Sequence, residues 1–212
     1  MPRVIVPVGL SMGPRYRYIR PPDPIPECYE IHLGDDLIEL TETEAAVWAA
    51  AFVDAERHAK LEVNRESLIR LLETAPNPEP QATRLVDSLI ARGLLVEFDT
   101  DGDLEPVFRR HKLLPLGQGL GSTPEEPHLH RVGLANQPIL ALSSDAYMLW
   151  SFSSLHPNLW EACVYYVDDT ELIAEGGEPL GLTPQMMAGE LAQNIPLLVA
   201  TGCGFLDQPV SA

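Results

Sequence analysis

Apolar residues recur three and four positions apart over Ala45–Phe52, which predicts a helix with one buried face. Thr41 stands where this helix would begin, and its side chain suits an N-cap. Glu44, three residues later, completes the capping-box pattern, and Leu40 precedes the cap at the position of a hydrophobic staple. The pattern therefore predicts a first helix that begins after Thr41.

Two further helices are predicted in the same part of the chain, over Val63–Glu73 and Gln81–Arg92, with a proline-rich turn between them. Their inner faces are formed by Leu68, Ile69, Leu71 and Leu72 in the second helix and by Leu85, Val86, Leu89 and Ile90 in the third. Gly93 follows the third helix, at the position where a left-handed C-cap is expected.

A β-hairpin is predicted after the third helix. Leu94–Phe98 reads as a strand, Asp99–Asp103 as a tight polar turn, and Leu104–Phe108 as the returning strand. A short strand before the first helix is also expected, at either Glu30–Leu33 or Leu37–Leu40. The first half of the chain thus reads as three helices followed by a hairpin.

Part of this pattern recurs in the second half of the chain. Leu40–Trp48 resembles Leu142–Trp150 at an offset of 102 residues, and Leu89–Asp99 resembles Leu198–Asp207 at an offset of 109. In the second copy, Ser143 would cap a helix that carries Trp150 and stops before Pro157. We therefore expect a tandem repeat in which Trp48 and Trp150 pack at equivalent places, and Gly93 and Gly202 likewise.

The order of elements resembles the winged-helix superfamily over about Tyr29–Phe108. The onset Leu-Thr-x-x-Glu-Ala-x-x-Trp, at Leu40–Trp48, also resembles the PqqD-like recognition modules of peptide-modification pathways. These resemblances imply an α+β, mainly α fold made of two winged-helix-like units. The second unit departs from the pattern over Val164–Gly181, where acids accumulate and Gly176 and Gly177 would break a continuous helix, so we expect it to be reshaped.

These assignments divide the chain into four parts. Residues 1–28 are predicted as an N-terminal arm, 29–110 as the first winged-helix-like domain and 130–212 as the second. The segment 111–129 between the domains is rich in glycine and proline, which is typical of a linker.

The composition indicates a globular protein. Hydrophobic residues make up 45% of the 212, which is more than a disordered chain carries. No apolar run approaches the length that spans a bilayer, and the N-terminus lacks the pattern of a signal peptide. The three cysteines are far apart, so neither a disulfide framework nor a metal pair is expected. We therefore expect a cytoplasmic protein without a membrane partner.

The net charge of −17 is divided unevenly along the chain. Residues 1–131 contain all 14 basic and 22 acidic side chains, a net −8, whereas 132–212 contain nine acids and no base, a net −9. The first 22 residues carry four arginines and no acid, and could fold against the acidic second unit. The overall charge argues against a general nucleic-acid binder and against an anionic membrane, because both repel an acidic protein.

Motifs that carry catalytic or metal chemistry are absent from the sequence or incomplete. A calcium loop that begins at Asp99 needs glycine at its sixth position and a bidentate glutamate at its twelfth, but these positions are Leu104 and Arg110. His128 and His130 have no evident third ligand, and Gly117–Gly121 lacks the lysine of a P-loop. The three tryptophans are expected to be packing residues. We expect no enzymatic activity, no cofactor and no metal.

Two binding functions remain. The residues predicted to bind are Arg84, Ser88 and Arg92 on the third helix and Arg109, Arg110 and Lys112 after the hairpin. The first hypothesis is a non-catalytic regulatory module whose acidic surface binds a protein or peptide, preferably a basic one, with an added strand or helix between the third helix and the β-edge. The alternative is a transcriptional regulator in which only the first winged helix binds DNA. The sequence leaves the oligomeric state open.

Overall fold

The structure, a computed structural model, describes residues 3–173 and 180–210. Within these ranges the chain is an α+β fold in which two units follow the same order of elements. Each unit starts with a strand, continues into a three-stranded antiparallel meander and a capped helix, and ends with a helix and a strand that pairs with the first one.

The first unit spans β1 to β5. Its elements are β1 (Arg3–Pro7), β2 (Leu10–Arg15), β3 (Cys28–Leu33), β4 (Asp36–Leu40), α1 (Glu42–Ala50), α2 (Ala55–Ala59), α3 (Arg65–Thr74), α4 (Ala82–Ala91) and β5 (Leu95–Asp99). The three predicted helices are confirmed as α1, α3 and α4, and both alternatives for the early strand form, as β3 and β4. The capping box is present, since Thr41 Oγ1 accepts a bond from the Glu44 amide at 3.2 Å and Glu44 Oε2 accepts one from the Thr41 amide at 2.9 Å.

The second unit repeats this order after a short connecting helix, α5 (Glu105–Phe108). Its elements are β6 (Lys112–Pro115), β7 (Gln118–Gly121), β8 (Leu129–Leu134), β9 (Gln137–Ser143), α6 (Ser144–Phe152), a 3-10 turn (Ser153–Leu155), α7 (Leu159–Ile173), α8 (Pro184–Ala200) and β10 (Gly204–Asp207). Ser143 caps α6 as predicted, accepting a bond from the Ala146 amide at 3.2 Å. Gly176 and Gly177 lie outside the described residues.

The last helix of each unit ends in the same way. Gly93 and Gly202 have φ angles of 74° and 71°, in the left-handed region that favours glycine. The next residue then donates back across the final turn, from the Leu94 amide to Leu89 O and from the Cys203 amide to Leu198 O, each at 2.9 Å. This is the Schellman arrangement, which turns the chain into the final strand.

The two related tryptophans, Trp48 and Trp150, are both buried. In each unit the tryptophan lies where the end of the first strand meets the start of the last strand. The Trp48 indole donates to Val8 O at 3.2 Å, and the Trp150 indole donates to Cys203 O at 3.0 Å. Val8 N in turn donates to Leu94 O, and Gly117 N to Cys203 O. The units therefore share a topology and a packing scheme as well as a sequence pattern.

The predicted hairpin after the third helix does not form. The prediction of a strand over Leu104–Phe108 is wrong. Glu105–Phe108 is the helix α5, with a proline in its first turn and its Glu105 amide bonded to Asp103 Oδ1 at 3.2 Å. β5 instead pairs antiparallel with β1, with Val96 opposite Val6. The buried apolar run of β1 supplies the partner strand that the sequence pattern assigned to Leu104–Phe108.

Residues from the predicted arm and linker contribute strands to both units. The predicted arm, residues 1–28, contains β1, β2 and the start of β3, and the predicted linker, residues 111–129, contains β6, β7 and the start of β8. A parallel bridge joins Val8 to Leu206, and α8 packs against α2 and β1. One apolar core therefore runs through both units.

Candidate functional site

The predicted binding residues on α4 are held by their own unit. Arg84 is exposed and donates to Gln81 Oε1 at 3.3 Å, while Ser88 is half-buried. Arg92 donates to Glu44 Oε1 at 2.7 Å and to Glu39 O at 3.1 Å, so it fastens the end of α4 to α1 and β4. Burial alone would raise the pKa of Glu44, but its hydrogen bonds from Thr41 and the Arg92 charge hold that pKa below its ordinary value.

The other predicted residues lie between the units. Arg109 donates to Glu105 Oε1 and to Glu161 Oε1, each at 2.7 Å, and its guanidinium lies 5.9 Å from the centre of the Trp160 ring. Arg110 donates to Pro106 O at 3.0 Å, and Lys112 is half-buried in β6. Arg109 therefore connects α5 to α7.

The six predicted residues do not all line one cavity. Arg109 and Arg110 line a cleft of about 650 Å³ beside β5 and the C-terminal residues Gln208–Val210. The lining of that cleft includes neither the three α4 residues nor Lys112. Two of the six therefore share a cavity lining, while Arg84, Ser88 and Arg92 follow one another at four-residue spacing along α4 and its C-cap.

A different site, which the sequence analysis missed, is an open pocket of about 520 Å³ between α6, the 3-10 turn and α7. Its apolar and aromatic lining consists of Met148, Leu149, Phe152, Leu155, Ala162, Tyr165 and Tyr166, and its polar lining of Ser153, His156 and Asp169. Two of the apolar and aromatic lining residues are unusually exposed: Leu155 retains 76% of its accessible surface and Tyr165 retains 58%. We call this site the α6–α7 pocket.

Polar groups border the apolar walls of the α6–α7 pocket. The Tyr166 hydroxyl donates to Asp145 Oδ1 at 2.6 Å; burial, then that bond, raises the pKa of Tyr166 to about 12. This phenol is therefore neutral at physiological pH. The His156 and Tyr165 rings lie 4.8 Å apart, and Asp169 is exposed. The pocket offers apolar walls with a carboxylate at its edge.

The first unit has a counterpart at the same place in the repeat, and it is almost closed. Asn64 and Asn158 cap α3 and α7 in the same way, each accepting a bond at 2.9 Å from the amide three residues later. Counting from these caps, Leu68 corresponds to Ala162. Leu68 retains only 1% of its surface and borders a cavity of about 50 Å³.

Two local differences explain the change in volume. The first is the larger side chain of Leu68, which occupies space that Ala162 leaves free. The second is α2, which lies between α1 and α3, whereas the second unit has only a 3-10 turn there. His58 of α2 is buried, with Nε2 3.0 Å from Ala51 O, and α2 packs against α8.

Other clusters of chemically capable groups are explained by structural roles. The Cys28 thiol and the Glu30 and Glu39 carboxylates lie within 4.8 Å of one another, but Arg15 bonds the two carboxylates at 2.7 and 2.8 Å. Arg15 therefore supplies the positive charge that these acids require. His130 stacks on Tyr147 with ring centres 4.6 Å apart.

Comparisons of the chain with protein-family models, with curated proteins and with solved structures gave no match. Across residues 3–173 and 180–210, no helix combines the length and the hydropathy needed to cross a bilayer.

Proposed function

We propose that this protein is a non-catalytic binding module that captures a basic segment of a protein or peptide in the α6–α7 pocket. The observation that carries the proposal is the contrast between the units: the pocket measures about 520 Å³ in the second unit and about 50 Å³ at its counterpart in the first. Since the first unit forms the same fold with this space filled, the opening is not a requirement of the fold.

The walls of the pocket suit one large apolar or aromatic side chain. Interface anchors are typically aromatic or long aliphatic residues that fill a preformed cavity of this size. Phe152, Leu155 and Tyr165 are exposed at the pocket, so a ligand that enters it covers apolar surface that water now contacts. An apolar anchor is therefore the first element of the ligand.

The charge of the second unit favours a cation beside that anchor. Residues 132–212 contain nine acids and no lysine or arginine, and the exposed carboxylates of Asp168 and Asp169 lie on α7 at or next to the pocket. A field of one sign accelerates the encounter with a partner of opposite charge. We therefore infer a ligand in which an arginine or lysine lies next to the apolar anchor.

Two ionisable groups near the pocket, Tyr166 and Cys163, are poorly suited to acid–base or nucleophilic catalysis. Burial and the bond to Asp145 keep the Tyr166 phenol protonated, and burial raises the pKa of the neighbouring Cys163 thiol to about 12. A nucleophile or general base needs a pKa close to the working pH, and these two groups are shifted away from it. All three cysteines are buried and unpaired, which supports a reducing compartment such as the cytoplasm.

The resemblance to PqqD-like modules and to the winged-helix superfamily supports the proposal, because folds of this class can bind peptides. In the first unit, a three-stranded meander precedes a capped helix and three further helices, and the second unit repeats the meander and the capped helix. Peptide capture by either unit would be an activity of this class. The alternative, DNA binding by the first unit, has less support because Arg92 and Arg109 are already paired with glutamates.

The test is a fluorescence-anisotropy titration with a pool of labelled peptides, each carrying one Phe, Trp or Leu between arginines or lysines. Ala162→Leu gives the second unit the leucine that fills the first, and Ala49→Leu places the same side chain on the exposed face of α1. We expect Ala162→Leu to weaken binding at least about tenfold, a loss of ~1.4 kcal/mol. Ala49→Leu should leave the affinity unchanged.

A parallel titration with a mixed-sequence DNA duplex at low salt separates the two functions. Failure of the whole peptide pool to bind, together with micromolar DNA binding that Arg84→Ala and Arg109→Ala weaken, would overturn the proposal. Peptide binding that Ala162→Leu leaves intact would overturn the assignment to the α6–α7 pocket.

A further inference from the structure

The connection between β2 and β3 exposes aromatic and apolar side chains that nothing in its own unit covers. Tyr18 is 100% exposed, and Tyr16 and Ile19 retain about half of their surface. These residues belong to the segment Tyr16–Arg20, which we call the aromatic arm. Soluble proteins expose single apolar residues often, but a run of them marks an interaction surface.

The repeat shows that the fold does not need this connection to be so long. Residues 16–27 join β2 to β3, twelve residues in all, whereas 122–128, seven residues, join the corresponding strands β7 and β8. Both meanders carry an irregularity at the matching place, at Ser11/Gly13 and at Gly119/Gly121. The additional residues of the first unit are therefore not needed to close the meander.

The charge of the aromatic arm is positive, in contrast to the chain as a whole. It contains Arg17 and Arg20 and no acid. Arg17 lies 3.4 Å from Glu27 Oε1, while Arg20 is exposed and forms no ion pair with any residue of 3–173 or 180–210. Aromatic side chains between arginines are the ligand chemistry that the α6–α7 pocket requires.

We propose that the aromatic arm of one copy docks in the α6–α7 pocket of a second copy, an inference that rests on the proposed function of that pocket. A tyrosine or Ile19 fills the apolar cavity, and an arginine pairs with Asp169. Within one chain the arm and the pocket do not meet in the described residues, because every residue that lines the pocket belongs to 148–169.

The two-fold symmetry of the proposed contact follows from the presence of both an arm and a pocket in every copy. Each copy carries one arm and one pocket, so a pair of copies can exchange arms in both directions and close a two-fold dimer. A single exchange would leave a free arm and a free pocket, which would add further copies without limit. The reciprocal dimer satisfies both sites and is the state that we propose.

Sedimentation velocity of the full chain over two decades of concentration tests this docking. We expect the sedimenting mass to rise from that of the 23.3 kDa chain to twice that value, and the association to weaken with salt. The double variant Tyr18→Ser/Ile19→Ser should stay monomeric. Ile25→Ser, which changes a 70% exposed residue of the same connection outside the arm, should associate like the wild type.

Two further measurements separate this inference from the proposed function. The peptide pool is titrated into the double variant, so that the arm does not compete, and Ala162→Leu is examined by sedimentation. A wild type that stays monomeric at all concentrations overturns the self-docking, while peptide binding to the double variant leaves the proposed function standing. Association that survives Ala162→Leu or the double variant also contradicts the inference, because the contact would then lie elsewhere.

Discussion

The two units differ most at the space between the capped helix and the helix that follows it. In the first unit Leu68 and α2 reduce this space to about 50 Å³, and in the second Ala162 and a 3-10 turn leave about 520 Å³. The strands, the caps and the glycine ends of the last helices are otherwise alike. One large side chain and one short helix therefore decide whether this place in the repeat is core or pocket.

The two units also differ in how the charges on their surfaces are paired. Several acids of the first unit are paired with arginines of the same unit, as in the Arg65–Asp87 and Arg92–Glu44 bridges. The second unit has no lysine or arginine after Arg131, and the ion pair to Glu161 of α7 comes from Arg109, outside the unit. The first unit thus has the features of a scaffold, while the second keeps an unneutralised acidic face next to an open cavity.

Removing the two equivalent tryptophans should have the largest effect and tests whether the units are built alike. Trp48→Ala and Trp150→Ala each remove a buried ring and its hydrogen bond, so we expect each to lower the free energy of unfolding by about 3–5 kcal/mol. Urea unfolding measures both. Trp160→Ala, at a half-buried ring, should cost clearly less, and a cost below ~1 kcal/mol at either equivalent site would contradict the shared packing.

Opening the closed counterpart should have the next largest effect. Leu68→Ala gives the first unit the residue of the second, and we expect it to lower the free energy of unfolding by about 2–5 kcal/mol because a fully buried leucine is lost. Urea unfolding is the measurement, with Leu71→Ala, at a partly exposed neighbour on α3, as the control that should cost less. A negligible cost of Leu68→Ala would mean that the space is not packed as described.

The sequence predicted much of the local structure because its signals are local. Thr41 and Glu44 identify the start of α1, Ser143 that of α6, and Gly93 the end of α4. The pairing of β5 with β1 was missed, because it joins residues about ninety positions apart and the nearer Leu104–Phe108 offered the same alternation. Periodicity does not record which distant strand a strand will join.

The pocket was missed for a related physical reason. The decisive differences, Ala162 in place of Leu68 and the absence of a counterpart to α2, become visible only when Asn64 is aligned with Asn158. The short match around Leu40–Trp48 did not extend that far along the chain. The predicted role of Arg109, Arg110 and Lys112 depended on their position after a hairpin that does not form.

Removing the helix caps should have a smaller effect, of similar size in both units. Thr41→Ala and Ser143→Ala each leave a backbone amide of the first helical turn without its partner, which costs about 1 kcal/mol. Thermal and urea unfolding can both resolve this difference. Thr41→Ser and Ser143→Thr keep the hydroxyl and should restore most of the stability; equal losses in all four variants would contradict capping as the cause.

Acidification should have the smallest effect and should act through the buried histidines. Burial lowers the pKa of His58 below its usual 6.5, so the unfolded chain takes up a proton before the folded one does as the pH falls. The free energy of unfolding should therefore decrease as the pH falls from about 7.5 to about 5.5, and burial of His111 acts in the same direction. His58→Gln should reduce this slope in urea titrations; an unchanged slope would show that His58 does not contribute.

The most direct test of the functional contrast between the units is a methyl-resolved NMR titration of the Tyr18→Ser/Ile19→Ser variant with the tightest peptide of the basic pool. We expect the methyl signals of Leu149, Leu155 and Ala162 to shift and saturate together, while those of Leu68 and the α4 residue Ile90 remain in place. Shifts confined to the first unit, with the α6–α7 pocket unperturbed at saturation, would contradict it.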